Sequence, residues 1–152
     1  MAVRRRAFSL VELTMVMAIM AIAGAIAMPR WGEAMGRYRV DAAARRIVAD
    51  LALAQTTARA TSSPQSVIIN PSVDNYRLPS LTNFETAAGQ YTVYLANAPY
   101  LADLSSTDWS AVTPLTFNAF GVPSAGGSVT VTSGGFSRTI TIDADSGVAT
   151  IQ

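Results

Sequence analysis

A cluster of arginines followed by a long apolar segment constrains this chain more than any other feature. Three arginines at positions 4–6 lead into an apolar stretch over residues 8–28, and Glu12 is the one charged residue within it. As a helix, this stretch would be about 31 Å long, which matches the hydrocarbon core of a bilayer. A carboxylate at the centre of a membrane helix costs about 2.5–3.5 kcal/mol, and such groups are usually functional. Any account of the segment therefore has to explain Glu12.

The distribution of charge predicts how the segment is oriented. Positive residues are retained on the cytoplasmic side of a membrane, so the arginines at 4–6 predict a cytoplasmic N-terminus. The remainder of the chain would then face the periplasm or the exterior. Removal of those three residues from the 11 basic residues leaves 8 against 10 acidic ones, a net charge of −2. Such a chain offers no general surface for polyanions, so we expect no nucleic-acid partner.

The residue types that are missing restrict the chemistry. The chain contains neither cysteine nor histidine, which removes disulfides, the commonest general base and the commonest zinc ligands. Calcium sites need six to eight oxygen ligands, and we interpret Asp143, Asp145 and Ser146 as turn formers before Gly147. The sequence therefore predicts a protein that is not an enzyme and that has no cofactor and no metal site.

Three kinds of N-terminal segment fit the basic and apolar pattern. An ordinary secretory signal would be cleaved after the small-x-small run Ala25-Ile26-Ala27, and a twin-arginine version would use positions 5–8. An uncleaved signal anchor is the second possibility. Neither explains Glu12. The third possibility is a short basic leader, residues 1–7, that is removed just before the apolar helix.

Residues 7–13, Ala-Phe-Ser-Leu-Val-Glu-Leu, resemble the processing site of type IV pilins and type II secretion pseudopilins. The resemblance implies that a prepilin peptidase cuts between Ala7 and Phe8 on the cytoplasmic side, after which Phe8 is N-methylated. Glu12 and Pro29 stand where the family has its glutamate and, in many members, a helix-kinking proline. Ala7 departs from the glycine that the family normally has before the cut, which leaves the rate of processing open.

The same resemblance implies that Glu12 is an assembly residue. Cleavage would create an amino terminus about one helical turn from the carboxylate, and the family is thought to pair this glutamate with the terminal amine of a neighbouring subunit. Opposite charges at low dielectric attract strongly when paired and are costly when alone. The implied partners are other pilins or pseudopilins, the prepilin peptidase, an inner-membrane assembly platform and the lipid bilayer.

A second helical stretch is predicted over residues 31–63. Pro29 is expected to kink or locally unwind the chain before it, and Pro64 is expected to end it, because proline disfavours helical geometry in the preceding residue. Apolar residues in steps of four and three form one stripe that should pack on a sheet: Val40, Ala44, Ile47, Leu51, Ala54 and Ala58.

The remaining residues, 64–152, read as antiparallel strands. Alternating apolar and turn residues predict strands at 65–70, 76–78, 91–96, 115–120, 128–133, 137–143 and 148–152. Irregular loops are predicted at 80–89 and 97–114. Gly134-Gly135 predicts a hairpin, and the expected core residues beside it are Val129, Val131, Ile140 and Ile142.

The predicted architecture is α+β, with a transmembrane helix half (8–30), an amphipathic half (31–63) and an antiparallel β domain (64–152). This order agrees with the pilin fold. The C-terminal pattern of Leu115–Phe120, Gly121, Val122-Pro123, Gly126-Gly127 and Gly147 resembles the minor pseudopilin H (GspH/FimT) group. So does the helix end at 51–55 and 58–59.

The H-group resemblance implies a structural subunit of a type II secretion pseudopilus or a type IV pilus. Such a subunit would be anchored in the bacterial inner membrane by a single pass. The alternative is an exported β-domain binding module with an ordinary signal peptide or an uncleaved anchor, whose loops at 80–89 and 97–114 grip a ligand.

Overall fold

The structure is a computed structural model that describes residues 8–82, 89–108 and 114–152. It divides into an N-terminal unit, Met1–Met35, and a C-terminal unit, Gly36–Gln152. The leader with Ala7, and parts of the two predicted loops, lie outside the described residues.

One helix, α1 (Leu10–Thr61), accounts for the helical residues of both units. Helical residues continue through Pro29, so the local unwinding expected there does not occur. A proline removes one backbone hydrogen bond, and the Ala and Met residues before it have high helix propensity that maintains the adjacent turns. A kink at Pro29 stays a prediction.

The helix ends as the sequence predicts, just before Pro64. Ser62 takes a left-handed backbone conformation, with φ of 49°. The amide of Ser63 donates to the carbonyl of Ala58 at 3.2 Å, and the amide of Ser62 donates to the carbonyl of Arg59 at 3.4 Å. This is the Schellman pattern of helix termination, here with serine in the position that glycine usually occupies.

The predicted apolar stripe of α1 is confirmed as the packing face within the C-terminal unit. All six of its members are buried, and Ala43 beside them is buried as well. They join a single core with side chains of the strands. Burial of this stripe stabilises the helix half, because helices in proteins depend more on such packing than on intrinsic propensity.

The β region forms two four-stranded antiparallel sheets. The first has the order β3-β2-β1-β5, and its strands are β1 (Gln65–Asn70), β2 (Asn75–Thr82), β3 (Gln90–Tyr94) and β5 (Leu115–Phe117). The second has the order β4-β6-β7-β8, and its strands are β4 (Asp103–Thr107), β6 (Gly127–Ser133), β7 (Phe136–Ile142) and β8 (Ala149–Ile151). The 3-10 turn Pro71–Val73 connects β1 to β2.

The C-terminal meander agrees with the sequence interpretation. Ser133 pairs with Phe136 across the Gly134-Gly135 turn, which confirms the hairpin. The four predicted core residues of β6 and β7 are all buried. Alternation along these strands is a local signal, since one face of each packs on the core while the other is solvated.

Two predicted loop boundaries are wrong. β2 continues through Pro79 to Thr82, and its register with β3 shifts between Leu78 and Thr82. Proline is tolerated there because it lies where the ladder is interrupted and its missing N–H is not needed. The region at 97–114 contains β4, which pairs with β6. Its polar sequence gives no strand signal, because β4 is an edge strand and Leu104 is the core residue within it.

Candidate assembly site

The apolar segment of the N-terminal unit is exposed in the isolated chain. α1 is long and apolar enough to cross a membrane, and its most apolar window is not buried at all. The large exposed side chains of the apolar segment include Phe8, just before α1, and Leu10, Val11, Leu13, Met15, Val16, Met17, Ile19, Met20, Ile22 and Ile26 within it. Soluble monomers rarely expose contiguous apolar patches above a few hundred Å². Such a surface is typical of segments that are covered by lipid or by other protein chains.

Glu12 lies on that apolar surface, in the first turn of α1. The amide of Leu13 donates to the carbonyl of Ser9 at 3.1 Å, so Ser9 caps the helix and Glu12 is its third residue. The positive end of the helix dipole stabilises a carboxylate there by about 0.3–1 kcal/mol. A nearby cation would stabilise the carboxylate further, because opposite charges attract strongly at low dielectric.

Of the other predicted site residues, Phe8 and Pro29 lie within the described part of the chain and Ala7 does not. Phe8 precedes the helix and is 80% exposed. It lies four positions before Glu12 in the sequence and one before the cap residue Ser9. Pro29 lies within α1. Ala7 is outside the described residues, so the bond Ala7–Phe8 is not seen.

A buried polar cluster in the C-terminal unit was not predicted. Asp50 of α1 is 6% exposed and accepts hydrogen bonds from Tyr76 Oη at 2.5 Å and Tyr91 Oη at 3.0 Å. Arg46 Nε forms an ion pair with the same carboxylate at 3.1 Å. The Arg46 guanidinium also donates to Tyr91 Oη. Its position in the sequence could have indicated that Asp50 is buried, since it lies three residues after Ile47 and one before Leu51, beside the buried stripe.

The electrostatics of this cluster keep both tyrosines protonated. Burial, followed by the negative charge of Asp50 and the hydrogen bond to it, raises the pKa of Tyr76 far above its usual value. The same causes raise the pKa of Tyr91. Neutral tyrosines act as donors to the carboxylate, so the cluster is built to join α1 to β2 and β3.

A second set of contacts joins the end of α1 to two loops. Gln55 Nε2 donates to the carbonyl of Gly121 at 2.8 Å and to that of Ser146 at 2.7 Å. Arg59 Nε donates to the carbonyl of Phe120 at 3.0 Å. The residues that carried the H-group resemblance therefore meet in space, although they are up to 92 positions apart between Gln55 and Gly147.

The turn before Gly147 agrees with its sequence interpretation. Asp143 Oδ1 accepts from the amide of Ser146 at 2.8 Å and from its Oγ at 2.6 Å. These hydrogen bonds lower the pKa of Asp143. Asp143 is therefore used within the turn. Among the described residues, no group of three or more acidic side chains is placed to hold a metal ion.

Comparisons with known proteins match both halves of the sequence interpretation. Residues 3–28 match the prokaryotic N-terminal methylation motif, and residues 43–147 match the type II transport protein GspH. The chain is similar in structure to the type IV minor pilin FimU of Pseudomonas aeruginosa strain PAO1, with a TM-score of 0.54 and 20% identity. That match covers 76% of this chain and 88% of FimU. No curated protein matches the chain.

These findings confirm the fold and the H-type resemblance. FimU supports the fold, a long helix packed on antiparallel sheets. The methylation motif and the exposed apolar helix fit a pilin anchored in the inner membrane. The GspH match extends over more than half of the sequence. The chain therefore belongs to the GspH family of minor pilins and pseudopilins, which are structural subunits that assemble with other pilins.

Proposed function

We propose that this subunit is inserted in the inner membrane with its C-terminal unit in the periplasm, and that a prepilin peptidase removes residues 1–7. Phe8 then becomes the methylated amino terminus. The arginines at 4–6 support this orientation, because positive residues stay on the cytoplasmic side. An inner-membrane assembly platform then transfers the trimmed subunit from the bilayer into a pilus or pseudopilus.

The position of Glu12 is the observation that carries this proposal. Its side chain is exposed among apolar neighbours, and no described residue provides a cation for it. The new amine of an adjacent subunit would supply that cation. Opposite charges in a low dielectric reward correct docking and penalise isolation. Glu12 thereby sets the axial position at which one subunit joins the next.

The subunit contributes structure and performs no catalysis. Its buried ionisable cluster is saturated by internal hydrogen bonds, and its exposed Asp143 is committed to a turn. Pro29 acts in the same assembly step by weakening the helix at the end of the apolar segment. As the fibre grows, neighbouring helices replace lipid around the apolar segment of the subunit.

Mass spectrometry of the intact chain, purified from membranes, tests the proposal. The expected product begins at Phe8 and carries one added methyl group. A product that begins at Met1 would contradict the proposal and support an uncleaved anchor. A product cleaved after the run at 25–27 would contradict it and support an ordinary signal. Ala7→Gly is the matched variant, because it restores the residue that precedes the cut in the family. It should be processed at least as completely as the natural chain.

A further inference from the structure

The outer face of the first sheet carries an unexplained group of polar side chains. The registers of β1, β2 and β3 place Asn70, Asn75 and Tyr94 in one row and Ile68, Arg77 and Thr92 in the next. Residues that alternate with them, such as Ile69, Tyr76 and Leu78, are buried on the core side. These six outer residues line one shallow cleft, which we name the Arg77 cleft.

Arg77 is the charged residue of this cleft, and it is exposed. Within the described residues it forms no ion pair, whereas Arg46 and Arg138 are paired with Asp50 and Asp41. The cleft lining contains no acidic side chain. Tyr94 stands diagonally across the strands from Arg77 and is 53% exposed. A cation, an aromatic ring and two amides thus face solvent together.

The size of the cleft decides what kind of group fits it. Its volume is about 190 Å³, below the roughly 300–1,000 Å³ of typical small-molecule sites. Such a space has room for one side chain. Interface anchors are individual side chains held in small pockets, and tyrosine and arginine are enriched at such places. The dimensions and the lining are therefore compatible with a side chain of another protein.

We propose that the Arg77 cleft receives an aspartate or glutamate side chain of a neighbouring fibre subunit. Arginine presents a planar fork that binds a carboxylate with two parallel hydrogen bonds. The amides of Asn70 and Asn75 supply further donors at the rim. The choice of a fibre subunit as partner rests on the proposed function, whereas the carboxylate chemistry rests on the cleft itself.

Site-specific photocrosslinking in assembled fibres tests this proposal. The photoreactive residue p-benzoylphenylalanine replaces Gln90, an exposed residue of β3 that lies two positions before Thr92 and leaves the cleft open. A control replaces the exposed Thr150 of β8. We expect the probe at 90 to crosslink to another pilin subunit, at a peptide that contains an acidic residue. Reversal of that acid to arginine should abolish the crosslink, and combination with Arg77→Glu should restore it. A crosslink to a saccharide, to lipid or to a peptide without an acid would overturn the proposal.

Two variants of Arg77 separate charge from shape. Like charges across an interface are strongly unfavourable, so Arg77→Glu should lower the crosslink yield by about tenfold or more. Arg77→Lys retains the positive charge and should lose less. Crosslinking of Arg77→Glu at the natural yield would contradict the proposal. Both variants should keep the natural melting temperature, because Arg77 is exposed.

The fibre fraction also distinguishes this proposal from the proposed function. If the chain never enters fibres, the proposed function is wrong. The crosslink is then tested in the membrane fraction, with the same criteria for its partner and its acidic residue. If the chain enters fibres but the probe at position 90 gives no acid-specific crosslink, the Arg77 proposal alone is wrong.

Discussion

Tyr76 of β2 donates a 2.5 Å hydrogen bond to the buried carboxylate of Asp50 on α1. The two residues are 26 positions apart in the sequence, and their contact joins the helix to the first sheet. A helix shifted along the sheet would bury Asp50 without its donors, and an unsatisfied buried polar group is costly. The contact therefore favours one position of the helix on the sheet. Packing of the small alanines alone would specify that position less strongly.

Replacement of Asp50 should destabilise the C-terminal unit. Asp50→Ala leaves the hydroxyls of Tyr76 and Tyr91 without their acceptor, so the free energy of unfolding should fall by about 2–3 kcal/mol. Asp41→Ala is the matched control, because the Asp41–Arg138 pair is much more exposed than Asp50 and solvent-accessible pairs are worth about 0–1 kcal/mol. Denaturant unfolding of the detergent-solubilised full chain measures both. Equal losses for the two variants would refute a special role of Asp50.

The buried tyrosines should make the fold sensitive to alkali. The pKa of Tyr76 and that of Tyr91 are raised by burial and by Asp50, so the folded state retains protons that the unfolded state has lost. The stabilising contribution is fully present below about pH 10 and is lost as the pH rises towards the raised folded values. In Tyr76→Phe, the decline in unfolding free energy above about pH 10 should be shallower. Parallel pH profiles for the two proteins would refute this.

Gly147 should be intolerant of any side chain. Its φ is +71°, and a Cβ there would lie 2.6 Å from Gln55 Nε2 and 3.1 Å from a ring atom of Phe117. Gly135 has φ of +83° but open space around it, so Gly135→Ala pays only the backbone strain, about 1–2 kcal/mol. Gly147→Ala should cost about 1–3 kcal/mol more, because Gln55 would have to give up its hydrogen bonds to Gly121 and Ser146 to make room. Similar melting temperatures for the two variants would show that the contact with Gln55 is unimportant.

Glu12 should be needed for assembly but not for insertion or trimming. Glu12→Ala keeps the apolar segment and the residues on both sides of the cut, so the chain should reach the membrane and lose residues 1–7. Its yield in sheared fibres should fall severely, because the docking charge is gone. Glu33→Ala removes another exposed acid of α1 outside the apolar stretch and should assemble normally. Normal fibre incorporation of Glu12→Ala would refute the docking role.

Local patterns allowed much of the fold to be predicted. The stripe from Val40 to Ala58 repeats at helical spacing, and the strands around Gly134-Gly135 alternate at period two. Each pattern reports which face of its own element is buried. The edge strand β4 was missed because its residues Asp103–Thr107 are mostly polar, and its pairing with β6 supplies what its own sequence lacks.

The residues of the candidate site also differ in how far the sequence reveals them. Glu12 stands out in the sequence because a carboxylate within an apolar run is locally anomalous, and its role in assembly stays a prediction. Asp50 was not, since an aspartate among alanines and arginines on a helix resembles a solvated residue. Its burial depends on two tyrosines from β2 and β3, which only the folded chain brings to it.

The amino-acid sequence by itself determined the membrane-compatible helix, the lone Glu12 and the resemblance of both ends to pilins. These features depend on the order of neighbouring residues. Only the tertiary structure decided that Gln55 contacts Gly121 and Ser146, that Asp50 is buried, and that Arg77 faces an open cleft. Such contacts depend on strand order and register, which are set by the packing of distant segments against one another.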